Sequence, residues 1–282
     1  MDGRLAADAL RGVPSLFDVF GQREIYLLSN LPDAVAAMAF APDGRSFVWA
    51  ERSGVIHWLE LAGGGERRTL PGHAGAVSRL VFAAGGKRLL SASDDATALV
   101  WDLIGQGPAK LSASQCDACW DALADRDAAK AYRAMCRLIA APADALALLR
   151  RHLKPVEVVD AKRIERLIAD LDADEFVVRE KATAELRKVV ELIEPALRKT
   201  LASRPTLEMR LRLRDLLDDL ALARQPWHPS PEILRQLRAV EVLERVGTPE
   251  TQRLLDALAN GAAGTRLTRE ARAALQRSEP RP

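Results

Sequence analysis

Residues 72–102 read GHAGAVSRLVFAAGGKRLLSASDDATALVWD, and the order of features in this stretch decides the fold. A Gly72-His73 pair leads into an apolar run from Ala76 to Phe82, and Gly85-Gly86 marks a turn. Arg88 to Ser93 follows, then the Asp94-Asp95 turn and a run closing on Val100-Trp101-Asp102. Period-two alternation bounded by Gly and Asp predicts three short antiparallel strands joined by tight turns.

The same pattern lies upstream. Subtracting 42 carries Ala76-Val77 onto Ala34-Val35, Phe82 onto Phe40, Gly86 onto Gly44, Trp101 onto Leu59 and Asp102 onto Glu60. Subtracting 42 again carries Leu59-Glu60 onto Phe17-Asp18. The order, the spacing and a gapless period within the ~40–45 range resemble the WD repeat, the building block of a β-propeller blade. In that family a histidine, a strand serine, a turn aspartate and a strand tryptophan form a hydrogen-bonded chain. The resemblance gives those roles to His73, Ser91 or Ser93, Asp95 and Trp101, with Asp102 closing the strand. It makes them structural, not a catalytic His/Ser/Asp set. The earlier copies are degenerate: Leu59 and Phe17 stand in place of the Trp, and Asn30-Leu31 in place of Gly72-His73.

Asp2-Gly3-Arg4 matches Asp43-Gly44-Arg45 at an offset of 41. The chain is therefore expected to begin inside a blade, with a partial blade at about 2–30, a full one at about 34–70 and a last one at about 76–111. Propellers typically have 4–8 blades. An incomplete set predicts further repeats upstream of Met1, or self-association through the open propeller edge.

Composition changes near residue 110. Beyond Gly105 to Pro108 the chain is rich in Ala, Leu, Arg and Glu, with prolines between helical runs. This predicts a boundary, with a partial propeller at 1–110 and an α-helical domain at 111–282. The latter comprises a helical linker (111–158) and repeat-like helices (159–278). Helices are expected over Ser114 to Ala124, over Asp127 to Ala140, and from Pro142 to before Pro155. Another is capped by Asp160. Pro195 is expected to open a helix separate from the one before it, and further helices run over Leu207 to Leu222, Ser230 to Gly247, Thr248 to Asn260 and Thr268 to Gln276. Asp172 to Asp174, Val178-Arg179, spaced Ala182 and Leu186, then Pro195, is similar to a HEAT-type repeat. The resemblance implies that Asp174 caps its helix and that Arg179 reaches acids of a neighbouring repeat. The whole resembles a family of bacterial WD-repeat proteins whose last blades run into a helical tail, which implies a binding scaffold and no reaction.

The bulk properties agree. Of 282 residues 48% are hydrophobic and 28% charged, and the net charge is +2. That balance supplies no general pull toward nucleic acid or anionic membrane. Three cysteines cannot make a disulfide framework, so a reducing, cytoplasmic setting is expected. No apolar run nears the ~18 residues of a membrane-spanning helix. Cys116 and Cys119, with Cys136 and His152, could compose a Cys3His zinc set, but both members of the CxxC fall on the inward face of a predicted helix. They read as packing, with no cofactor and no metal. The densest basic stretch, Arg210, Arg212 and Arg214, is spread around its helix among Glu208, Asp215, Asp218 and Asp219, which makes it a solvated face. The expected function is a non-catalytic protein-interaction scaffold. The alternatives are a nucleic-acid-associated helical module, and the regulatory tail of a longer enzyme whose catalytic domain lies upstream.

Overall fold

A computed structural model describes residues 5–8, 15–18, 23–27, 35–105, 107–156, 160–223 and 229–278. The Asp2-Gly3-Arg4 opening, Asn30-Leu31, Trp227, His228 and the last residues from 280 lie outside them. Among the described residues the β part precedes the α part, as the alternation and the later helical periods predict.

The β part holds three antiparallel sheets. The first is β1 (Leu5–Asp8), β2 (Ser15–Asp18) and β3 (Arg23–Leu27); the second is β4 (Val35–Phe40), β5 (Ser46–Glu51), β6 (Ile56–Glu60) and β7 (Glu66–Leu70). The third is β8 (Val77–Phe82), β9 (Arg88–Ser93) and β10 (Ala98–Asp102), with β10 at one edge. The 42-residue period holds strand by strand. β4 and β8 begin at 35 and 77, β5 and β9 at 46 and 88, and β6 and β10 at 56 and 98. β7 spans 66–70, so its counterpart after β10 would fall at 108–112. Pro108 stands at the first of those positions and no strand forms there. Proline cannot donate to a ladder and is tolerated only at strand margins.

Tight turns set the register. Gly44, with φ of 68°, closes the β4–β5 hairpin, and its N–H donates to Ala41 O. Gly54, with φ of 91°, lies so close to the His73 carbonyl that a Cβ would sit 2.5 Å from it. Only glycine satisfies both the dihedral and the approach.

The chain divides into two compact units. One is residues 1–109 with 118–140, and the other is 110–117 with 141–282. The expected boundary at 110 differs in the placing of 118–140, which holds most of α1 (Ala113–Leu123) and all of α2 (Ala128–Ala140). The reason is α2. Its Tyr132 ring meets Trp58 edge-on at 4.8 Å, and its hydroxyl donates to Leu103 O at 3.0 Å. Arg67 of β7 places its guanidinium 5.6 Å from the Trp58 ring and 5.1 Å from the Tyr132 ring, and donates to Glu60 at 3.2 Å. Both members of that ion pair are buried. Half of the expected linker is therefore part of the β unit's core.

The second unit is helical: α3 (Pro142–His152), α4 (Ala161–Ala169), α5 (Phe176–Ala202), α6 (Leu207–Ala223), α7 (Pro231–Val246), α8 (Pro249–Ala259) and α9 (Arg266–Ser278). Ser230 and Thr248 cap α7 and α8 through their hydroxyls, with Pro231 and Pro249 next in line. Gly247, at φ of 65°, ends α7. Asp160 holds the N-cap position of α4, but its side chain makes no capping bond.

α5 corrects one expectation. Pro195 does not open a separate helix; it lies inside one continuous element. That element cannot be straight. Thr206 bonds Asp172 at 2.6 Å, Arg179 meets Glu208, and Arg187 meets Asp215 and Asp219, so α6 runs alongside the first half of α5 in the same direction. A straight helix of this length would span ~40 Å. The link from Ala202 to Leu207 could return no more than ~18 Å of that. α5 therefore bends along its length, and Pro195 is where an i→i−4 bond is missing. Ile168, Leu171, Leu186, Ile193, Leu197, Leu213 and Leu216 fill the space so enclosed.

Candidate functional site

The third sheet holds the residues that the sequence singles out. Ser91 on β9 is 3% exposed and its Oγ accepts the Trp101 indole N–H at 2.8 Å. The same oxygen lies 2.7 Å from His73 Nε2, and His73 Nδ1 lies 3.1 Å from Asp95 Oδ2. An indole only donates and a carboxylate only accepts, so one direction satisfies every member. Trp101 donates to Ser91, the Ser91 hydroxyl donates to His73 Nε2, and His73 Nδ1–H donates to Asp95.

Asp95 is anchored from its other side. The Thr97 hydroxyl and N–H donate to Oδ1 at 2.6 and 2.8 Å, and the Ala74 N–H donates to Oδ2 at 2.8 Å. The Thr97 hydroxyl first, then the two N–H groups and His73, hold the Asp95 carboxyl well below the usual range against the opposing effect of desolvation. Thr97 is the member that sequence reasoning misses; its signal is the two-residue spacing after a turn aspartate. Ser93 is brought in differently: it donates to Gly75 O at 2.9 Å and accepts from Asp95 N–H. Asp102 stays out of the chain, its carboxylate taking the N–H groups of Ile104 and Gly105.

Ser91, His73 and Asp95 are ordered as in a nucleophilic triad. The serine oxygen is buried and already accepts from Trp101. What this arrangement does chemically is tie three connections together: the segment before β8, the β9–β10 turn and strand β10.

The second sheet replaces this network. Trp49 stands where Ser91 does, 42 residues on, and Ser53 where Asp95 does. The ring of His57 stacks on Trp49 at 4.7 Å, with Nε2 3.1 Å from Glu51 and Nδ1 3.1 Å from Glu66. Glu66 also accepts from Thr69, and Glu51 from Ser53. Burial opposes charge on His57, but the bond to Glu66 and the two carboxylates prevail and raise its pKa. The bond from His57 in turn depresses Glu66. His57 reads from sequence as an outward strand residue. The carboxylates that bracket it come from the neighbouring strands.

Of the helical pair, Asp174 does not cap. The N-cap position of α5 is Glu175, without a side-chain bond, and Asp174 offers its backbone carbonyl to Arg179 at 2.8 Å. Arg179 also donates to Ala173 O, lies 3.5 Å from Glu208 of α6, and its guanidinium sits over the Phe176 ring. Arg212 is spent on Glu180, Glu208 and Thr183, and Arg210 on Pro205 O. Cys116 and Cys119 are buried on α1, and among the described residues no three His, Cys, Asp or Glu side chains are grouped to hold a metal. No helix among them is long and apolar enough to cross a membrane.

Two sets of large apolar side chains face solvent. On the third sheet they are Val81, Leu90 and Val100, aligned across the strands because Leu90 pairs with both of the others. On the helical unit they are Phe176 and Val177 at the start of α5, and Leu207 and Leu211 at the start of α6.

Parts of the chain are similar to known proteins. The U3 small nucleolar RNA-associated protein 15 homolog of Xenopus tropicalis is 28% identical over 88 residues, 31% of this chain; the chain spans 17% of that protein's length. The crystal structure of the computationally designed Ika4 protein aligns at a TM-score of 0.32 and 22% identity, over 36% of this chain and 62% of that one. Residues 64–102 match the WD40 family, described as WD domain, G-beta repeat. β7 through β10 therefore form a WD40 repeat, its first strand completing the second sheet and its other three making the third.

Proposed function

We propose that this protein is a non-catalytic protein-interaction scaffold that joins WD repeats to a HEAT-type helical module. One observation carries the reading. The polar residues that mark the repeat are spent inside the fold, while Val81, Leu90, Val100, Phe176, Val177, Leu207 and Leu211 stand in solvent. Contiguous exposed apolar groups mark contact surfaces. The HEAT-type reading of α5 and α6 rests on their parallel course and on the reach of Arg179 to Glu208. The cytoplasm suits a chain whose three cysteines make no disulfide.

The test is affinity purification from cells with the full chain, compared with Val81→Ser/Val100→Ser and Val177→Ser/Leu207→Ser variants. Partners recovered stoichiometrically with the parent, and lost with either variant while the fold is intact, support the scaffold. Recovery unchanged by both variants sinks it. A second reading, association with a ribonucleoprotein, draws on the name of the Xenopus relative. Loss of all partners after nuclease treatment, with recovery falling steeply with salt, would favour that reading.

A further inference from the structure

The 42-residue period makes the two best-described sheets directly comparable, face by face. On the third sheet Arg79, Val81, Arg88, Leu90, Val100 and Asp102 share one face, and all six are exposed. Their counterparts on the second sheet are Ala37, Ala39, Ser46, Val48, Trp58 and Glu60. Ser46, Val48, Trp58 and Glu60 are buried and the two alanines half-buried. The same face of the same repeat is therefore interior in one sheet and open in the next. The third sheet's other face is already used, with Leu89 fully buried and β8 lying beside β4.

The open face is no plain copy of the closed one. Its centre is apolar, with Val81, Leu90 and Val100 exposed by 49%, 42% and 64%. Where the second sheet has Ala37 and Ser46, however, it carries Arg79 and Arg88, and neither makes an ion pair among the described residues. Asp102 stands opposite Arg88 on β10, its Oδ1 taking the Ile104 and Gly105 N–H groups, and one carboxylate does not match two guanidinium groups. The face is thus an apolar row with a cation at either side. An all-apolar layer laid over it would desolvate two guanidinium groups against a single carboxylate, which is costly. A layer that supplies carboxylates at those two places gains charge-assisted hydrogen bonds instead.

Resting on the scaffold reading above, we propose that the Val81–Leu90–Val100 face docks a β-structured protein surface whose alternating side chains present an apolar row flanked by Asp or Glu. Stacking continues the sheet-on-sheet packing already present between the second and third sheets, at the ~10 Å spacing that such layers adopt. The carboxylates meet Arg79 and Arg88 and fix which way round the partner lies, since side chains on one strand face recur every second residue.

The experiment uses the isotope-labelled full chain and two disulfide-closed hairpin peptides. Both carry Val and Leu on one face; the flanking residues are Glu in one and Lys in the other. Amide resonances are followed by NMR during titration. The acidic hairpin is expected to shift β8, β9 and β10 resonances, with an apparent affinity that falls with salt. The Arg79→Glu/Arg88→Glu variant, whose altered side chains are exposed, is expected to keep its dispersed spectrum. It should lose at least tenfold in affinity for the acidic hairpin and gain affinity for the basic one. No shifts with either peptide at millimolar concentration would overturn the proposal, and so would equal shifts with both. Shifts at the same face that depend on protein concentration alone would show a second copy as the occupant, and overturn it too. Acidic-hairpin shifts confined to Phe176, Val177, Leu207 and Leu211 would leave the scaffold reading standing and remove this face from it.

Discussion

Trp101 and His73 meet through a single oxygen, Ser91 Oγ, which lies 2.8 Å from the indole nitrogen and 2.7 Å from the imidazole Nε2. The two rings also lie edge-on, with their centroids 6.4 Å apart. The hub of the third sheet is therefore its smallest member.

Ser91→Ala is expected to cost more than its size suggests. It strands an indole N–H and a ring nitrogen together, a loss of roughly 2–3 kcal/mol. Trp101→Phe, which removes one donor and keeps an aromatic ring, should cost about 1 kcal/mol. The double variant should fall short of the sum, because the two share one oxygen. Urea denaturation of all three measures this, and strict additivity would show that Ser91 is no hub.

His57 gives the β unit a pH dependence. Its pKa is raised in the folded state, so its contribution is complete below the ordinary value of 6.5 and is lost as pH climbs through the raised value. Glu66 works in the opposite sense. Its pKa is depressed, so its share is present above the ordinary 4.5 and is lost as pH falls through the depressed value. The charged groups facing His57 are Glu51 and Glu66. Stability should be greatest between the two transitions, and His57→Gln should flatten the alkaline side and also shrink the acid side, because Glu66 owes its depression first to the His57 bond. Thermal melts across pH 4–9, with the His57 ring protons followed by NMR, test this. A flat profile in the parent would refute it.

Arg67 and Glu60 are a buried ion pair, and the Arg67 guanidinium lies against two aromatic rings. Glu60→Gln removes the carboxylate facing the guanidinium and should cost about 3 kcal/mol. Replacing both with methionine should cost much less, since buried pairs exchanged together for apolar groups come out near neutral. Denaturant midpoints of the single and double variants decide it.

The repeats were open to reading because a period of 42 is a property of the chain, and each strand lies within it. His73, Ser91, Asp95 and Trp101 were legible as a set for the same reason. Thr97 was hidden behind the obvious motif. His57 was hidden because its partners come from β5 and β7, and only the strand pairing brings Glu51 and Glu66 to its two nitrogens. The bend in α5 and the docking of α2 were also beyond reach. Proline at 195 fits equally a helix start and a bend. Tyr132 looks like any inward residue of an amphipathic helix until Trp58 and Arg67 are seen beneath it.

The second unit sets its own lower limit. Val156 O accepts the Ala262 N–H, and Gly261 lies against the Val156 amide so closely that a Cβ would sit 3.0 Å from it. α3 also packs on α7 and α8. A fragment of residues 141–282 is expected to melt cooperatively by circular dichroism, and one of residues 160–282 about 3 °C or more lower, from the loss of about 1 kcal/mol or more. Equal midpoints would show that α3 is dispensable.

The repeat that straddles two sheets also orders events during synthesis. Residues 35–60 emerge from the ribosome as three strands of the second sheet, with β6 an open edge that could pair with any passing strand. The strand that closes this edge is the first part of the next repeat, β7, and the third sheet cannot begin to form until it has passed. Nascent chains grow at roughly 5–20 residues per second. The vulnerable edge is thus covered within seconds, by the segment that follows it.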